Sequence, residues 1–171
     1  MTAPLLSLHA LDFVSRPAED LANDPATAAR FDCSRATLGK PLGLTKLGVN
    51  VTAVKPGKAA YPFHSHRGND ELFVILAGSG ILRLGTERHE VKEGDVIGCP
   101  AGDARTAHQL VNSGTTELRY LAISTLVDPE ICEYPDSGKH NVWAAGPAGA
   151  KDAFATVQRS GPSVDYWDGE P

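Results

Sequence analysis

From Leu44 to Ser124 the chain alternates apolar and polar residues with period two, and glycine, proline or aspartate breaks each run after a few residues. Leu47, Val49, Val51 and Ala53 alternate with Lys46, Gly48, Asn50 and Thr52, which predicts a half-buried strand. Further short strands are predicted at 62–66, 71–77, 81–84, 89–91, 96–99, 108–111 and 117–124, with turns between them. Strands this short bury a face by packing as an antiparallel sandwich or barrel. The fold class is all-β.

The flanks lack this regularity. Pro25, with Asn23 or Asp24 as cap, predicts a short helix over 26–31. Leu5, Leu6, Leu8 and Leu11 are too apolar to lie free, so residues 1–43 are expected to pack on the barrel. Beyond Asp128 the pattern fades: 135–139 reads as a turn and 144–150 as a small-residue linker. The aromatic pair Tyr166-Trp167 in an acidic end predicts a tail that docks back on the body. At 171 residues the chain suits one domain, with an N-terminal extension (1–43), a barrel core (44–127) and an acidic C-terminal extension (128–171).

Charge excludes some partners. There are 16 Lys and Arg against 21 Asp and Glu, a net charge of −5. Residues 1–127 are neutral, and the whole imbalance sits in the last quarter. A neutral body with an acidic end repels phosphate backbones and offers anionic lipid no basic block, so neither nucleic acid nor a membrane is an expected partner. No apolar run nears the roughly 18 residues that span a bilayer. The start, MTAPLLSLHALDF, has no basic stretch and carries His9 and Asp12, which predicts a cytoplasmic protein. Cys33, Cys99 and Cys132 form no CxxC pair, and Cys99 in its apolar strand reads as a small buried hydrophobe.

Three of the six histidines stand at ligand spacing. His64 and His66 are two apart, so on a strand they share a face. Glu71 follows a four-residue loop, and a hairpin of 62–66 with 71–77 would set it across from the pair. His108 begins a later strand. Three imidazoles and a carboxylate suit one divalent transition ion: Fe, Mn, Co, Ni or Zn. Four protein ligands leave two octahedral positions for a bidentate substrate or dioxygen. Asp70 is the rival carboxylate, while His9, His89 and His140 have no partners at ligand spacing.

These residues carry a resemblance. Residues 57–71, GKAAYPFHSHRGNDE, with Gly78 beyond them, resemble the first motif of the cupins. Residues 94–102, GDVIGCPAG, followed by His108 and Asn112, resemble the second. The first motif has one residue more than usual between Gly57 and His64, and the second has a longer insert, 103–107, before His108. The phrase 129–139, PEICEYPDSGK, is similar to a subset of single-domain bacterial cupins. The resemblance implies a double-stranded β-helix, a jelly-roll barrel with the metal inside its mouth, and favours Glu71 over Asp70 as carboxylate ligand. Cupins include isomerases, dioxygenases, decarboxylases, lyases, epimerases and binding modules, so the fold alone does not choose among them.

Other residues are candidates for substrate contact. Arg105, in the insert before His108, and Arg83 would each hold a carboxylate or phosphate if they reach the cavity, or else lie in solvent. Arg119 is a third such guanidinium. Tyr61, three residues before His64, would line the mouth and is a weak candidate for a general acid; Gln109 should point away. The expected function is a metal-dependent enzyme acting on a sugar phosphate or an oxo or hydroxy acid. The alternatives are a dioxygenase using the same metal and a non-catalytic metal or small-ligand binding module. A regulator is excluded because no helix-turn-helix region is present. Leu72, Val74 and Leu76, opposite the inward Glu71, Phe73 and Ile75, need cover, for which a homodimer is the expected answer.

Overall fold

The period-two runs form strands, and glycines shape the tight corners between them. The computed structural model describes residues 5–17, 25–146 and 154–171. In chain order these hold β1 (Val14–Pro17), α1 (Pro25–Ala28), β2 (Asp32–Thr37), β3 (Leu47–Val54), β4 (Ser65–His66), β5 (Glu71–Ala77) and β6 (Ser79–Leu84). There follow β7 (Glu87–Lys92), β8 (Val96–Cys99), β9 (His108–Val111), β10 (Leu118–Thr125), β11 (Glu130–Tyr134), β12 (Lys139–Ala144) and β13 (Phe154–Arg159). Gly78, between β5 and β6, has φ 79°. A Cβ there would stand 2.5 Å from the Glu117 carbonyl oxygen, so both the turn and the close approach of β10 require glycine.

One sheet has the order β1-β2-β3-β10-β5-β8. Two others, β13-β12-β11-β4 and β7-β6-β9, meet through a bridge in which His64 and His108 exchange backbone hydrogen bonds of 3.1 and 2.7 Å. They thus form a second layer facing the first, a jelly-roll arrangement of antiparallel strands. The main core lies between the layers: Val54, Phe73, Ile75, Leu82, Ile97, Leu110, Leu118 and Tyr120 pack there. Among the described residues no helix is long and apolar enough to cross a membrane.

Several expectations are corrected. The segments 62–66 and 71–77 do not form a hairpin: β4 pairs with β11, whereas β5 lies between β10 and β8. The second half of β3, Val51 to Val54, is buried on both faces, not half-solvated. Thr52 and Val54 face the main core, while Val51 joins a second cluster outside the sheet with Ala36 and Leu38, against which Leu11, Phe13, Leu42, Leu76 and Leu121 pack. The N-terminal segment, which sequence periodicity leaves irregular, supplies β1, β2 and that outer cover, but of the four leucines expected to pack only Leu11 does, while Leu5, Leu6 and Leu8 are exposed. It shields Leu76 but leaves Leu47, Leu72 and Val96 exposed.

Helix α1 is a single turn at 25–28, shorter than expected, because Phe31 bridges to Ala59 instead of continuing it. Its predicted caps, Asn23 and Asp24, lie outside the described residues, as does most of the 144–150 linker. Beyond Asp128, β11 and β12 form a hairpin around the expected turn, and β13 joins its edge. Strand β13 is mostly exposed on both faces, so no alternation marks it. Tyr166 and Trp167 do not dock on the body: they pack edge-to-face on one another, 4.8 Å between centroids, and are exposed.

Asn112 is fully buried and closes the barrel wall. Its amide donates to the Val54 and Thr116 carbonyls, both at 2.8 Å, and its Oδ1 accepts from the Gly114 N–H at 3.0 Å. Asn112→Ala strands two carbonyls and one donor, so it should cost about 2–4 kcal/mol and lower Tm by roughly 5–15 °C in a calorimetric scan. An unchanged Tm would show that water replaces the amide.

Candidate metal centre

Each layer contributes candidate ligands. His64 and His66 come from the short β4 segment, His108 from the start of β9, and Glu71 from the start of β5 across the mouth. The ligating atoms of these four residues all lie within 4.8 Å of one another. The Glu71 Oε2 is 2.8 Å from His108 Nε2, 3.3 Å from His66 Nε2 and 4.0 Å from His64 Nε2. The side chains of His64, His66 and Glu71 are 15–17% exposed and that of His108 is 3% exposed, so the cluster is largely desolvated yet open on one side.

The outer ring nitrogens fix the tautomers. His64 Nδ1 lies 2.8 Å from the Pro62 carbonyl and His108 Nδ1 3.2 Å from the Thr106 carbonyl. A carbonyl only accepts, so both Nδ1 atoms carry the proton and donate it. Each Nε2 then faces inward, its lone pair open to an ion at His64, while at His108 it lies 2.8 Å from Glu71 Oε2 and hydrogen-bonds it when protonated. His66 Nδ1 meets the Cys132 sulfur at 3.3 Å, and its buried Nε2 faces Glu71 Oε2 at the same distance. Inward ring nitrogens and a carboxylate thus face one another, an arrangement that a proton or a divalent cation between them relieves. The donor set of three nitrogens and one oxygen fits a borderline divalent ion.

Electrostatics agree in part. Burial, with His108 and His66 adding, pulls His64 down to about 4, so it stays neutral. Burial also opposes charge on His66, but hydrogen bonds to Cys132 and Glu71 outweigh it and lift the imidazole to about 10. A proton and a metal ion therefore compete most strongly at His66. Burial alone would raise Glu71, yet hydrogen bonds from His108 and His66 hold it well below the usual carboxylate range.

Residues 50–124 match the family model for the cupin domain. The chain carries a cupin-type domain. A sugar phosphate isomerase structure from the cupin superfamily of Silicibacter pomeroyi superposes with a TM-score of 0.75 at 25% identity, covering 98% of this chain and 96% of that one. An uncharacterized protein of Methanocaldococcus jannaschii is 35% identical over 72 residues, 42% of this chain and 55% of that protein. An oxalate-binding protein of Thermotoga maritima is 31% identical over 72 residues, 42% of this chain and 57% of that protein. The chain thus spans little more than half the length of these two relatives.

Around the candidate ligands, two carboxylates serve the loop rather than the cluster. Asp70 accepts from the Ala101 N–H at 2.8 Å and does not join the cluster. Glu130 accepts from the backbone N–H groups of Arg67, Gly68 and Ile131, and from the Asn69 amide. The Asn69 Oδ1 in turn accepts from Thr125 Oγ1 and the Val127 N–H. This clamp fixes the 67–70 loop, and with it the convergence of His66 and Glu71. Sequence spacing signals neither Glu130 nor Cys132, because β11 arrives from a distant part of the chain.

The substrate candidates fare unequally. Arg105 does not reach the site: its side chain is 90% exposed and its guanidinium closes on Asp103 at 2.9 Å, since the 103–107 insert loops outward. Arg83 also points out of the barrel, because Leu82 and Leu84 take the inward positions of β6; it forks onto Asp136 and contacts Gln109. Arg119 pairs with Glu117. Tyr61 does reach the ligand set, edge-on to His64 at 6.5 Å, and Tyr134 stacks on the same ring at 6.2 Å. A cavity of about 20 Å³ beside Tyr61, Phe73 and Tyr120 has room for about one water, so a substrate must enter from the open side. Arg105→Ala should leave both Tm and metal content as they are, as expected of an exposed ion pair. A fall in metal content measured by atomic emission would return Arg105 to the site.

Proposed function

We propose that the protein is a mononuclear metal-dependent enzyme acting on a small oxygenated metabolite, with His64, His66, Glu71 and His108 as the ligands. The inward-facing Nε2 atoms of His64 and His108, on rings that the Pro62 and Thr106 carbonyls orient, carry this reading. A divalent ion held there would supply Lewis acidity to a carbonyl or hydroxyl oxygen. The chain's own residues orient and shield: Phe73 packs edge-on against His108, Tyr134 covers His64, and the Tyr61 hydroxyl is a candidate proton donor beside that ring. Likeness along nearly its whole length to the Silicibacter pomeroyi structure favours a sugar phosphate and an isomerisation.

The test is elemental analysis of untagged protein, followed by NMR of aldose and ketose phosphates incubated with it. Interconversion that stops when the metal is chelated supports the proposal; a metal-loaded protein that leaves every sugar phosphate unchanged overturns the isomerase reading. A second reading, retention of a small dicarboxylate without turnover, is favoured by the likeness to the oxalate-binding protein. Saturable oxalate binding with no product would select it. The exposed Leu47, Leu72 and Val96 support a homodimer across the six-stranded sheet. Sedimentation equilibrium should give about twice 18.1 kDa, and a clean monomer mass would reject the dimer.

A further inference from the structure

A second cavity, of about 650 Å³, lies on the outside of the barrel, behind the wall that carries His108. Along β9, His108 faces inward and Gln109 faces this outer space; Arg83 joins Gln109 from β6. Residues Thr27, Arg30 and Phe31 close one side, and the β11–β12 turn with Asp136 and Ser137 closes another. Its size falls within the range of small-molecule sites.

Its charge is unlike the rest of the chain. Five of the 16 Lys and Arg residues line it, namely Arg30, Arg83, Arg88, Lys139 and Arg159, in a protein of net charge −5. Asp136 is the sole carboxylate among the lining residues. Cations gathered this closely repel one another, and one carboxylate does not balance them.

Three are held in fixed positions. The Arg83 guanidinium lies 4.1 Å from the centroid of the Phe63 ring and bonds Gln109 Oε1 at 2.9 Å. The Lys139 ammonium sits 5.6 Å from the centre of the Tyr134 ring, and Arg159 donates to the Ser137 carbonyl at 2.6 Å. Asp136 shows what the field does to an anion. Arg83 grips its carboxylate with bonds of 2.9 and 3.0 Å, and Arg30 and Arg88 add to the pull that keeps it ionised.

We propose that this outer cavity binds a small organic phosphate ester, with Arg83, Arg88 and Arg159 on the phosphate and the Phe31 and Phe63 side on the carbon skeleton. Planar guanidinium forks match phosphate oxygens, and the mixed aromatic lining suits an ester better than the free ion. The site is distinct from the metal centre and does not depend on the enzymatic reading.

The experiment is calorimetric titration of the full chain in chelator with glucose 6-phosphate, ADP and inorganic phosphate. Saturable binding of at least one ester, tighter than inorganic phosphate, is expected. Arg88→Glu should weaken it at least about tenfold, the loss of a charge-assisted contact, with Tm unchanged because Arg88 is exposed. Arg83→Ala should weaken it further, and His64→Ala should leave it intact. Three results would overturn the proposal: no saturable binding, inorganic phosphate binding as tightly as both esters, or affinity that follows His64 and ignores Arg88.

Discussion

Replacing His64 by alanine will strip the protein of its metal while the barrel stays folded. The residue gives one of the inward Nε2 atoms, and the Pro62 carbonyl that orients it belongs to the backbone and remains in place. Loss of a group that merely orients a ligand weakens metal binding by about 10–100-fold, so loss of a ligand should exceed that. Metal content should fall from near one ion per chain to a small fraction. The thermal response separates the centre from the scaffold: an ion at 100 times its dissociation constant stabilises the native state by about 2.7 kcal/mol, and the variant should lose that increment. The barrel core does not use the His64 ring, so the metal-free melting temperatures of variant and parent should agree closely. A variant that still carries a full ion would remove His64 from the ligand set.

Glu130→Ala will unfold the protein at a markedly lower temperature and release the metal with it. The carboxylate is the common acceptor for three backbone N–H groups and the Asn69 amide, and it is buried. Truncation leaves these donors without an acceptor, at a cost of about 3–5 kcal/mol, or a drop in Tm of roughly 10 °C. Glu130→Gln keeps an acceptor oxygen and should fall between the two. Because the 67–70 loop sets the distance between His66 and Glu71, metal affinity should decline even where the variant remains folded. Calorimetry with and without added ion reads both effects, and an Ala variant as stable as the parent would show that the clamp is redundant.

The cluster of three histidines and Glu71 is legible because its signals are local: His64-Ser65-His66 places two rings on one face whatever the strand pairs with, and Glu71 begins a run whose inward face is plain. Partnership across the sheets was not legible. The hairpin expected between 62–66 and 71–77 fails because β11, far along the chain, takes the edge that Glu71 was meant to fill. For the same reason Glu130 and Cys132 gave no signal. The alternation in β3 marks a strand with Val51 and Ala53 buried, but gives no sign that Thr52 and Val54 face the main core, because an N-terminal segment without clear periodicity supplies the cover over Val49 and Val51. Arg105 takes the solvent alternative of the two that the sequence leaves open: three residues from His108 is close along the chain, yet an outward loop separates them. The cupin resemblance carried the fold, and the tautomer-fixing carbonyls carry the chemistry.

The bridge between His64 and His108 has a kinetic consequence. It joins two sheets whose other strands lie far apart in sequence, while β3 must find β10 across nearly the whole barrel region. Pairings of this kind carry a high loop-closure entropy and make folding slow compared with that of helical proteins. The four side chains converge only after these distant ladders have closed, so a collapsed chain without them presents scattered imidazoles. Recovery of metal affinity during refolding should therefore lag behind recovery of β-sheet circular dichroism, and the ion would report the last step of assembly instead of nucleating the first.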